Sequence, residues 1–256
     1  MKKSFLAVLV LGLLVLAASA ACAADPIKVG YLANLTGEGA SWGQHEQNGA
    51  ILAVEEINKK GGVLGRPLAL VVYDAKGRPE DAINAVRRMI TVDKVVAIGG
   101  ANYSGINIAT APIAAQGKVP QIGSFATNPF VTVDPKTKKA RPYSFRICFT
   151  DPYQGKVMAE YLYKKLGVRK AAILSDVGSD YSEGMTEYFI KTFKGLGGTV
   201  ESFKYRSGDV DFRAQITNAK QSGATALVMP DLYKEMALMM KQAHELDWKP
   251  YFIGGD

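Results

Sequence analysis

The chain has 256 residues, of which 48% are hydrophobic and 21% charged, and its formal net charge is +7. This balance is typical of a globular protein with a substantial core, and it excludes a disordered chain. Two cysteines are too few for a miniprotein held together by disulfides, and one long apolar run excludes a polytopic membrane protein. The length allows one large domain or two lobes of ordinary size.

The first segment, residues 1–24, has the layout of a secretory signal peptide. Lys2 and Lys3 give a positive start, residues 5–16 form an apolar stretch broken only by Gly12, and residues 17–24 are small and mostly alanine. The apolar stretch is shorter than the roughly 20 residues of a membrane-spanning helix. An uncleaved anchor is therefore the less favoured alternative, and we expect an exported protein.

The cysteines bear on how the exported chain is processed. Cleavage after Ala23 or Ala24 is expected. Lipidation of Cys22 ranks second, because Ser19 stands where lipoprotein signals usually carry Leu. Without Cys22 no intramolecular disulfide can form. Cys148 follows apolar residues and is predicted to be a small core hydrophobe.

After the signal segment, short apolar strands alternate with amphipathic helices. The first strand, Ile27 to Ala33, precedes a Gly/Ser loop and a helix with Ala50, Ile51, Val54 and Ile57 on one face. The first half continues as a strand over 68–73, a helix around 82–90, a strand over 95–98, a helix over 104–116 and a strand over 120–123.

The second half repeats this order after a connecting strand over 143–147. The predicted elements are a helix around 157–166, a strand over 171–174, a helix over 182–196, a strand over 200–205, a helix over 212–222, a strand over 226–229, a helix over 233–246 and a last strand over 251–253. Gly61-Gly62 and Gly197-Gly198 follow the corresponding helices in the two halves. The halves are therefore predicted to be two copies of one α/β plan.

Continuous apolar strands separated by helices predict parallel sheets that are covered on both faces. We expect two doubly wound, Rossmann-like lobes connected by a hinge, an N-terminal lobe over 25–146 and a C-terminal lobe over 147–256. Ligands of such sheets bind beyond the carboxyl ends of the strands. The loops that follow strands are therefore the candidate binding segments of a cleft between the lobes.

Several function classes lack the residues they need. His45 and His244 are the only histidines, and Ser104 does not lie in a Gly-x-Ser-x-Gly motif. No cysteine or histidine cluster has metal-ligand spacing. Asp209 and Asp211 flank Val210, but an acidic residue just before Phe212 is explained as a helix cap. We therefore expect neither an enzyme nor a metal or other cofactor, and the scattered basic residues give no reason to expect a nucleic-acid partner.

One motif imitates a dinucleotide site. Gly37, Gly39 and Gly43 lie between a strand and a helix, and Asp74 ends the following strand. However, the loop after Ala33 is longer than the tight turn which that motif requires. Export also argues against a nicotinamide cofactor, so we do not favour this interpretation.

The loops that follow strands contain hydroxyl, aromatic and acidic residues. Hydroxyls and free amides at helix starts suit a carboxylate, an acidic residue suits an ammonium, and aromatic rings suit an apolar side chain. Together they predict a site for a small zwitterion such as an amino acid, although each hydroxyl could simply cap its own helix. The residues are Ser41, Trp42, Tyr103, Ser104, Ser124, Phe125, Ala126, Thr127, Asp180, Tyr181, Asp231 and Asp256.

From about Ile27 to Asp256 the chain resembles a known family. It is similar to the periplasmic substrate-binding component of branched-chain amino acid ABC transporters, the Leu/Ile/Val-binding type with a type I periplasmic-binding fold. The segments that carry the resemblance are LTGEGASWGQHEQNGA, AVEEINKKGGVLGRPL, VVYDAKGRPEDA, GGANYSG, VPQIGSFATNP, SDVGSDYSEG and YFIGGD.

The resemblance implies roles for residues of the first lobe. Ser104 would hold the ligand carboxylate. Thr127 and the backbone at Phe125 would complete the contacts, within a segment that includes Ala126. Trp42 would cover the ligand side chain.

The resemblance also implies roles for the second lobe. Tyr181 matches a cleft aromatic, and Asp256 matches the acidic residue that pairs with the ligand ammonium, where relatives often have Glu. Leu232 stands where leucine binders place an aromatic residue. Asp231, and Tyr103 of the first lobe, are weaker candidates for ligand contact. These departures leave another amino acid, an amide or an aromatic acid open as the ligand.

The function implied is a non-enzymatic periplasmic protein that captures an amino acid, branched-chain or related, and delivers it to an ABC permease. The alternative is a ligand-sensing ectodomain of the same fold, with an exported hydrolase third. Family members continue past the end of this sequence. The resemblance therefore implies a C-terminally truncated chain whose first lobe lacks its return segment.

Overall fold

The computed structural model describes residues 25–37 and 39–255. The predicted signal peptide, with Cys22, and Asp256 lie outside the described residues. Across those two ranges, no helix is long and apolar enough to cross a membrane.

The first lobe is built on a five-stranded sheet. Its strands are parallel and lie in the order β2-β1-β3-β4-β5. The elements are β1 (Ile27–Ala33), α1 (Ala40–Lys59), β2 (Leu68–Asp74), α2 (Pro79–Arg88), β3 (Ala97–Gly100), α3 (Ser104–Gly117), β4 (Gln121–Gly123) and β5 (Ser144–Arg146).

The second lobe is built on a four-stranded parallel sheet of order β7-β6-β8-β9. This order corresponds to β2-β1-β3-β4 of the first sheet, so the prediction of two parallel sheets on one α/β plan is confirmed. The elements are α4 (Asp151–Glu160), β6 (Lys170–Asp176), α5 (Asp180–Gly195), β7 (Thr199–Tyr205), α6 (Arg213–Gln221), β8 (Ala226–Met229), α7 (Tyr233–Glu245) and β9 (Tyr251–Gly254). The lobe boundary at residues 146 and 147 stays a prediction.

The central strands of the second sheet, β6 and β8, are buried on both faces. Alternate residues of β6 point to opposite sides, because side chains alternate along a strand. Ala171 and Ile173 join a cluster with Phe189 of α5, whereas Leu174 joins a cluster with Phe212 and the helices α6 and α7. The continuous apolar sequence of β6 follows from this double coverage.

The first sheet has its buried cluster on the side of α2 and α3, where Leu32, Val86, Ile98 and Ile106 meet. Helix α1 lies on the other side, over β1 and β2. Gly43 is the buried residue of α1, and Ile51 and Ile57 of its predicted core face are 39% and 36% exposed. The sequence of α1 therefore has the predicted apolar face, but within the described residues much of that face is exposed to solvent.

The interpretation of Cys148 as a core residue is wrong. Cys148 is half-buried, and its neighbours Phe145 and Ile147 are 53% and 80% exposed. The physical reason is position, because β5 is the edge strand of the first sheet and this segment leaves that edge.

The strand order determines where the two lobes form their crevices. The strand order reverses between β1 and β3 in the first sheet and between β6 and β8 in the second sheet. Loops at the carboxyl ends diverge at such a point and leave a crevice. Any cleft site should therefore be formed by the loops after these strands.

Gly43 has a packing role that the glycine motif did not reveal. A Cβ on Gly43 would lie 2.0 Å from the backbone oxygen of Asn34, which follows β1, so helix and loop touch here. Gly49 lies on the same helix, and a Cβ there would meet nothing within 4 Å. The third glycine of the dinucleotide-like motif is thus explained by close backbone approach.

We expect Gly43→Ala to destabilise the protein by about 1–3 kcal/mol, because the new methyl group forces α1 away from the loop. Gly49→Ala is the matched control, and it should stabilise the protein by about 0.5–1 kcal/mol, since Ala is the better helix former. Thermal unfolding of both variants checks this. Equal effects of the two substitutions would show that Gly43 is not a contact point.

Candidate functional site

A cavity of about 520 Å³ lies between the two lobes. It is lined by loops that follow β1, β2, β3 and β4 on the first-lobe side and β6, β7 and β8 on the second-lobe side. These are carboxyl ends of parallel strands, where the fold places ligands.

The first-lobe side of the cavity is dominated by the start of α3. Tyr103, Ser104, Gly105 and Ile106 all line the cavity, and the helix has no side-chain cap and no acidic residue in its first turn. Backbone N–H groups at a helix start carry partial positive charge and attract anions. The Ser104 hydroxyl, 2% exposed, accepts a hydrogen bond from Asn128 N at 3.2 Å, so its proton remains to be donated.

Asn34 holds three loops of this side together. Its Nδ2 donates to Asn102 Oδ1 at 2.7 Å, and its Oδ1 accepts from Gly77 N at 3.0 Å. These contacts join the loops after β1, β2 and β3. The buried Asn34 thereby fixes the approach to α3 on which Ser104 depends.

The carboxylate of Asp74 is hydrogen-bonded to the loop after β1. Its carboxylate accepts hydrogen bonds from Leu35 N at 2.8 Å, from Thr36 Oγ1 at 2.5 Å and from Lys76 N at 2.8 Å. Burial by itself raises the pKa of Asp74, but these hydrogen bonds outweigh it and lower the pKa below its usual value. Asp74 thus shapes the loops and is not free for a nucleotide ribose.

We expect Asp74→Asn to lower stability at pH 7 by about 1 kcal/mol, roughly 2–4 °C in Tm, because hydrogen bonds to a charged acceptor are lost. A carboxyl whose folded pKa is lowered stabilises the fold above its unfolded pKa of about 3.9, and this is lost as the pH falls through the folded value. The Tm difference from wild type should therefore shrink below about pH 4.

The measurement is thermal unfolding of both proteins between pH 7 and pH 2. Asp247→Asn, at an exposed carboxyl just after α7, is the matched control and should change Tm little at any pH. A Tm difference at Asp74 that stays constant with pH would contradict the assignment.

The second-lobe side of the cavity is acidic. Asp176, Asp180, Asp231 and Glu235 all line it, whereas Lys76 lies on the first-lobe side. Asp176 accepts from Gly178 N at 2.8 Å and from Ser207 N and Oγ, so its charge is used to join the loops after β6 and β7. Hydrogen bonds from neutral donors leave the negative charge of Asp176 in place, so all four carboxylates make this side acidic.

Two of these carboxylates are buried. Asp231 is 8% exposed and accepts from Leu232 N at 2.7 Å, and Glu235 is 3% exposed in the first turn of α7, where its Oε1 lies 3.7 Å from Lys234 Nζ. Charged groups are rarely buried this far without compensation. Lys234 lies close to Glu235, and both buried carboxylates add to the acidic character of this side of the cavity.

Asp180 comes closest to the opposite side. A Cβ on Gly105 would lie 2.9 Å from Asp180 Oδ2, so this carboxylate reaches the first turn of α3 across the cavity. Burial raises the pKa of Asp180 above its usual value. The cavity is thus narrow at this point, with acidic and helix-start surfaces face to face.

Aromatic rings connect the lobes beside the cavity. Trp42 of α1 stacks on Tyr233 of α7, with ring centroids 6.4 Å apart and planes inclined by 14°. Phe125 meets Trp42 edge-on at 5.9 Å. Because Trp42 and Tyr233 belong to different lobes, their contact exists only when the lobes are close together.

We expect Tyr233→Leu to weaken this contact by about 0.5–1.5 kcal/mol, the usual contribution of an aromatic pair. In a Trp248→Phe background, which leaves Trp42 as the tryptophan, the change should shift emission to longer wavelength and increase quenching by acrylamide. Tyr161→Leu, at a tyrosine that is 51% exposed beside α4, is the control. Identical emission for the two variants would show that Trp42 and Tyr233 do not meet in solution.

Most of the predicted site residues come together in the structure. Trp42, Tyr103, Ser104, Phe125, Tyr181, Asp231 and Leu232 line the cavity. Ala126 and Thr127 do not line it and are fully buried, and the Thr127 hydroxyl has no hydrogen-bond partner within the described part of the chain. Asp256 lies outside the described residues. The ligand roles of all these residues stay predictions.

The sequence-based set missed part of the cavity. Lys76 and Gly77 follow β2, and Ser207 follows β7. All three residues stand in loops that follow strands, where ligands of parallel sheets bind, so the sequence carries a signal for them. Glu235 lies inside a helix, where the position of loops after strands gives no signal. In the two described ranges, no cluster of three or more His, Cys, Asp or Glu has the arrangement of a metal site.

Comparison with known proteins identifies the family. The sequence pattern of the periplasmic binding protein family matches residues 26–255. The chain belongs to this family. This chain is 32% identical over 231 residues to the Leu/Ile/Val-binding protein BraC3 of Rhizobium johnstonii. The match covers 90% of this chain and 61% of that protein. The chain thus spans about three fifths of that relative.

Solved structures of family members show the same fold. The branched-chain amino acid transporter substrate-binding protein LivJ of Streptococcus pneumoniae, in complex with isoleucine, is 32% identical with a TM-score of 0.81, over 90% of this chain and 64% of that one. A solute-binding protein of Rhodopseudomonas palustris in complex with 3,4-dihydroxybenzoic acid is 26% identical with a TM-score of 0.77, over 90% and 61%. The periplasmic binding fold therefore accommodates both kinds of ligand.

Proposed function

We propose that this periplasmic binding protein captures an amino acid, branched-chain or related, between its two lobes and delivers it to the permease of an ABC transporter. In this role the protein binds its ligand without changing it chemically. Export to the periplasm, by the segment predicted to be a signal peptide, belongs to the same proposal.

The distribution of charge across the cavity carries this proposal. The first-lobe side presents Ser104 and the first turn of α3, which suit a carboxylate. The second-lobe side presents Asp180, Asp231 and Glu235, which suit an ammonium. A zwitterion that spans the cavity meets charge of opposite sign at each end.

The remaining lining favours an apolar side chain on the ligand. Ile106, Ile108 and Leu232 contribute aliphatic surface, and Trp42 and Phe125 contribute rings. Apolar lining with a few polar groups at fixed points is the usual composition of a small-molecule site. BraC3 and LivJ, whose names refer to such amino acids, support this assignment.

An aromatic acid is the second candidate ligand. The rings beside the cavity and the dihydroxybenzoate-bound relative favour it. However, such an acid has no ammonium to pair with the carboxylates of the second-lobe side, whereas an amino acid has one. An amide presents only neutral donors to them. The amino acid is therefore the preferred ligand.

The test is thermal unfolding of the full-length mature protein against L-leucine, L-isoleucine, L-valine, polar amino acids, aliphatic amides and hydroxybenzoates. A ligand at about a hundredfold over its Kd should stabilise the protein by roughly 2.7 kcal/mol. Ser104→Ala should raise the Kd for L-leucine about tenfold, because a hydrogen bond to a charged group is lost. Ser41→Ala, in the first turn of α1 and outside the cavity lining, is the matched control.

If hydroxybenzoates alone stabilise the protein, the ligand is an aromatic acid and not an amino acid. A response to no compound would contradict the binding role in this form. Uptake of the same compound by cells with and without the gene separates transport from ligand sensing, because a sensor leaves uptake unchanged.

A further inference from the structure

Arg146 makes an unusual set of contacts at the end of β5. Its Nη1 donates to the carbonyl oxygens of Ala126, Thr127 and Asn128 at 3.1, 2.9 and 2.8 Å. Its Nη2 donates to Pro129 O at 3.2 Å and to Thr132 Oγ1 at 2.7 Å. A single guanidinium therefore fixes the direction of four consecutive carbonyl groups.

Arginine is suited to this task by its shape and charge. The guanidinium is planar, stays protonated and presents a rigid array of donors. Arg146 is half-buried, so its contacts are partly shielded from water. The partners of Arg146 on the main chain are carbonyl groups, so it organises this loop. Burial lowers the pKa of Arg146, and the charge of Asp151 acts in the opposite direction.

The loop that Arg146 fixes contacts both lobes. Asn128 N donates to Ser104 Oγ at 3.2 Å, and Asn128 Nδ2 donates to the carbonyl oxygen of Asp180 at 2.6 Å. Asp180 begins α5 of the second lobe, whereas Ser104 begins α3 of the first. Asn128 therefore bridges the two helix starts that face each other across the cavity, and it is only 4% exposed.

A second contact reaches the second lobe from the same loop. The carbonyl oxygen of Thr127, which Arg146 already holds, also accepts from Asp151 N at 3.1 Å. Asp151 is the first residue of α4. The orientation of this one carbonyl thus couples β5, the loop and the first helix of the second lobe.

We propose that Arg146 is a positioning residue for ligand capture, which holds the loop over 126–129 so that Asn128 joins α3 to α5 when the lobes close on the ligand. This inference rests on the proposed function, because it assigns the closed cleft to ligand capture. Arg146 itself does not line the cavity, and it acts through Asn128.

The test compares Arg146→Lys, which keeps the charge but cannot span four carbonyl groups, with the wild-type full-length protein. We expect the Kd for L-leucine to rise about tenfold, measured by calorimetry well below Tm, as closure loses an oriented contact. Arg169→Lys is the matched control. Arg169 donates to the carbonyl oxygens of Tyr163 and Val168, away from the cavity, and its replacement should leave the Kd unchanged.

A double-mutant cycle with Asn128→Ala separates positioning from a general loss of stability. Asn128→Ala removes the contact from Nδ2 to Asp180 but leaves the main-chain contacts with Ser104 and Asp151. If Arg146 acts through Asn128, the two substitutions together should therefore raise the Kd by clearly less than the product of their separate effects. Independent effects, which multiply, would overturn the proposal, as would an unchanged Kd in Arg146→Lys alone. If Arg146→Lys fails to fold, Thr132→Val takes its place in the cycle, since it removes a single acceptor of Arg146 and should raise the Kd about threefold.

A measurement without ligand keeps this test separate from the proposed function. Spin labels on the two lobes report the fraction of closed molecules, and Arg146→Lys should lower it to the same extent as Asn128→Ala. If wild-type protein does not bind L-leucine, the proposed ligand is wrong, but this comparison still decides the role of Arg146. Equal closed fractions in Arg146→Lys and wild type would reject it.

Discussion

The direction of the strands is the constraint on which the rest of the structure depends. All strands within each sheet run parallel, so all their carboxyl ends lie at one edge. Residues far apart in sequence, such as Trp42, Ser104 and Asp231, reach a common cavity because each follows or lies near a strand end. Short polar side chains then hold the loops in place, Asn34 in the first lobe and Asp176 in the second.

The two lobes share a strand order but differ in the charge that they present. The first lobe offers the start of α3, and the second offers carboxylates on loops and in the first turn of α7. A near-symmetric scaffold therefore carries an asymmetric site. Relatives with the same fold are bound to isoleucine or to 3,4-dihydroxybenzoic acid, so under the proposed function the asymmetry of charge, rather than the fold, would select a zwitterion.

The sequence was sufficient for the fold class and for eight of the residues that line the cavity, because apolar periodicity and the position of loops after strands depend only on residue type. It was insufficient wherever the answer depended on what covers a residue. The apolar face of α1 was recognisable, but its partial exposure at Ile51 was not, and Cys148 was misplaced for the same reason. Arg146 gave no signal, because its acceptors on the main chain are carbonyl groups, whose directions no sequence pattern records.

The separation of the recognition surfaces has a stereochemical consequence. In the proposed complex with an amino acid, the carboxylate at α3, the ammonium at the second-lobe carboxylates and the side chain at the rings of Trp42 and Phe125 would be three attachments to one carbon atom. Three fixed attachments distinguish mirror images, since the mirror image can satisfy at most two of the three contacts at once. A site with this arrangement would therefore select one enantiomer of an amino acid without any contact devoted to chirality.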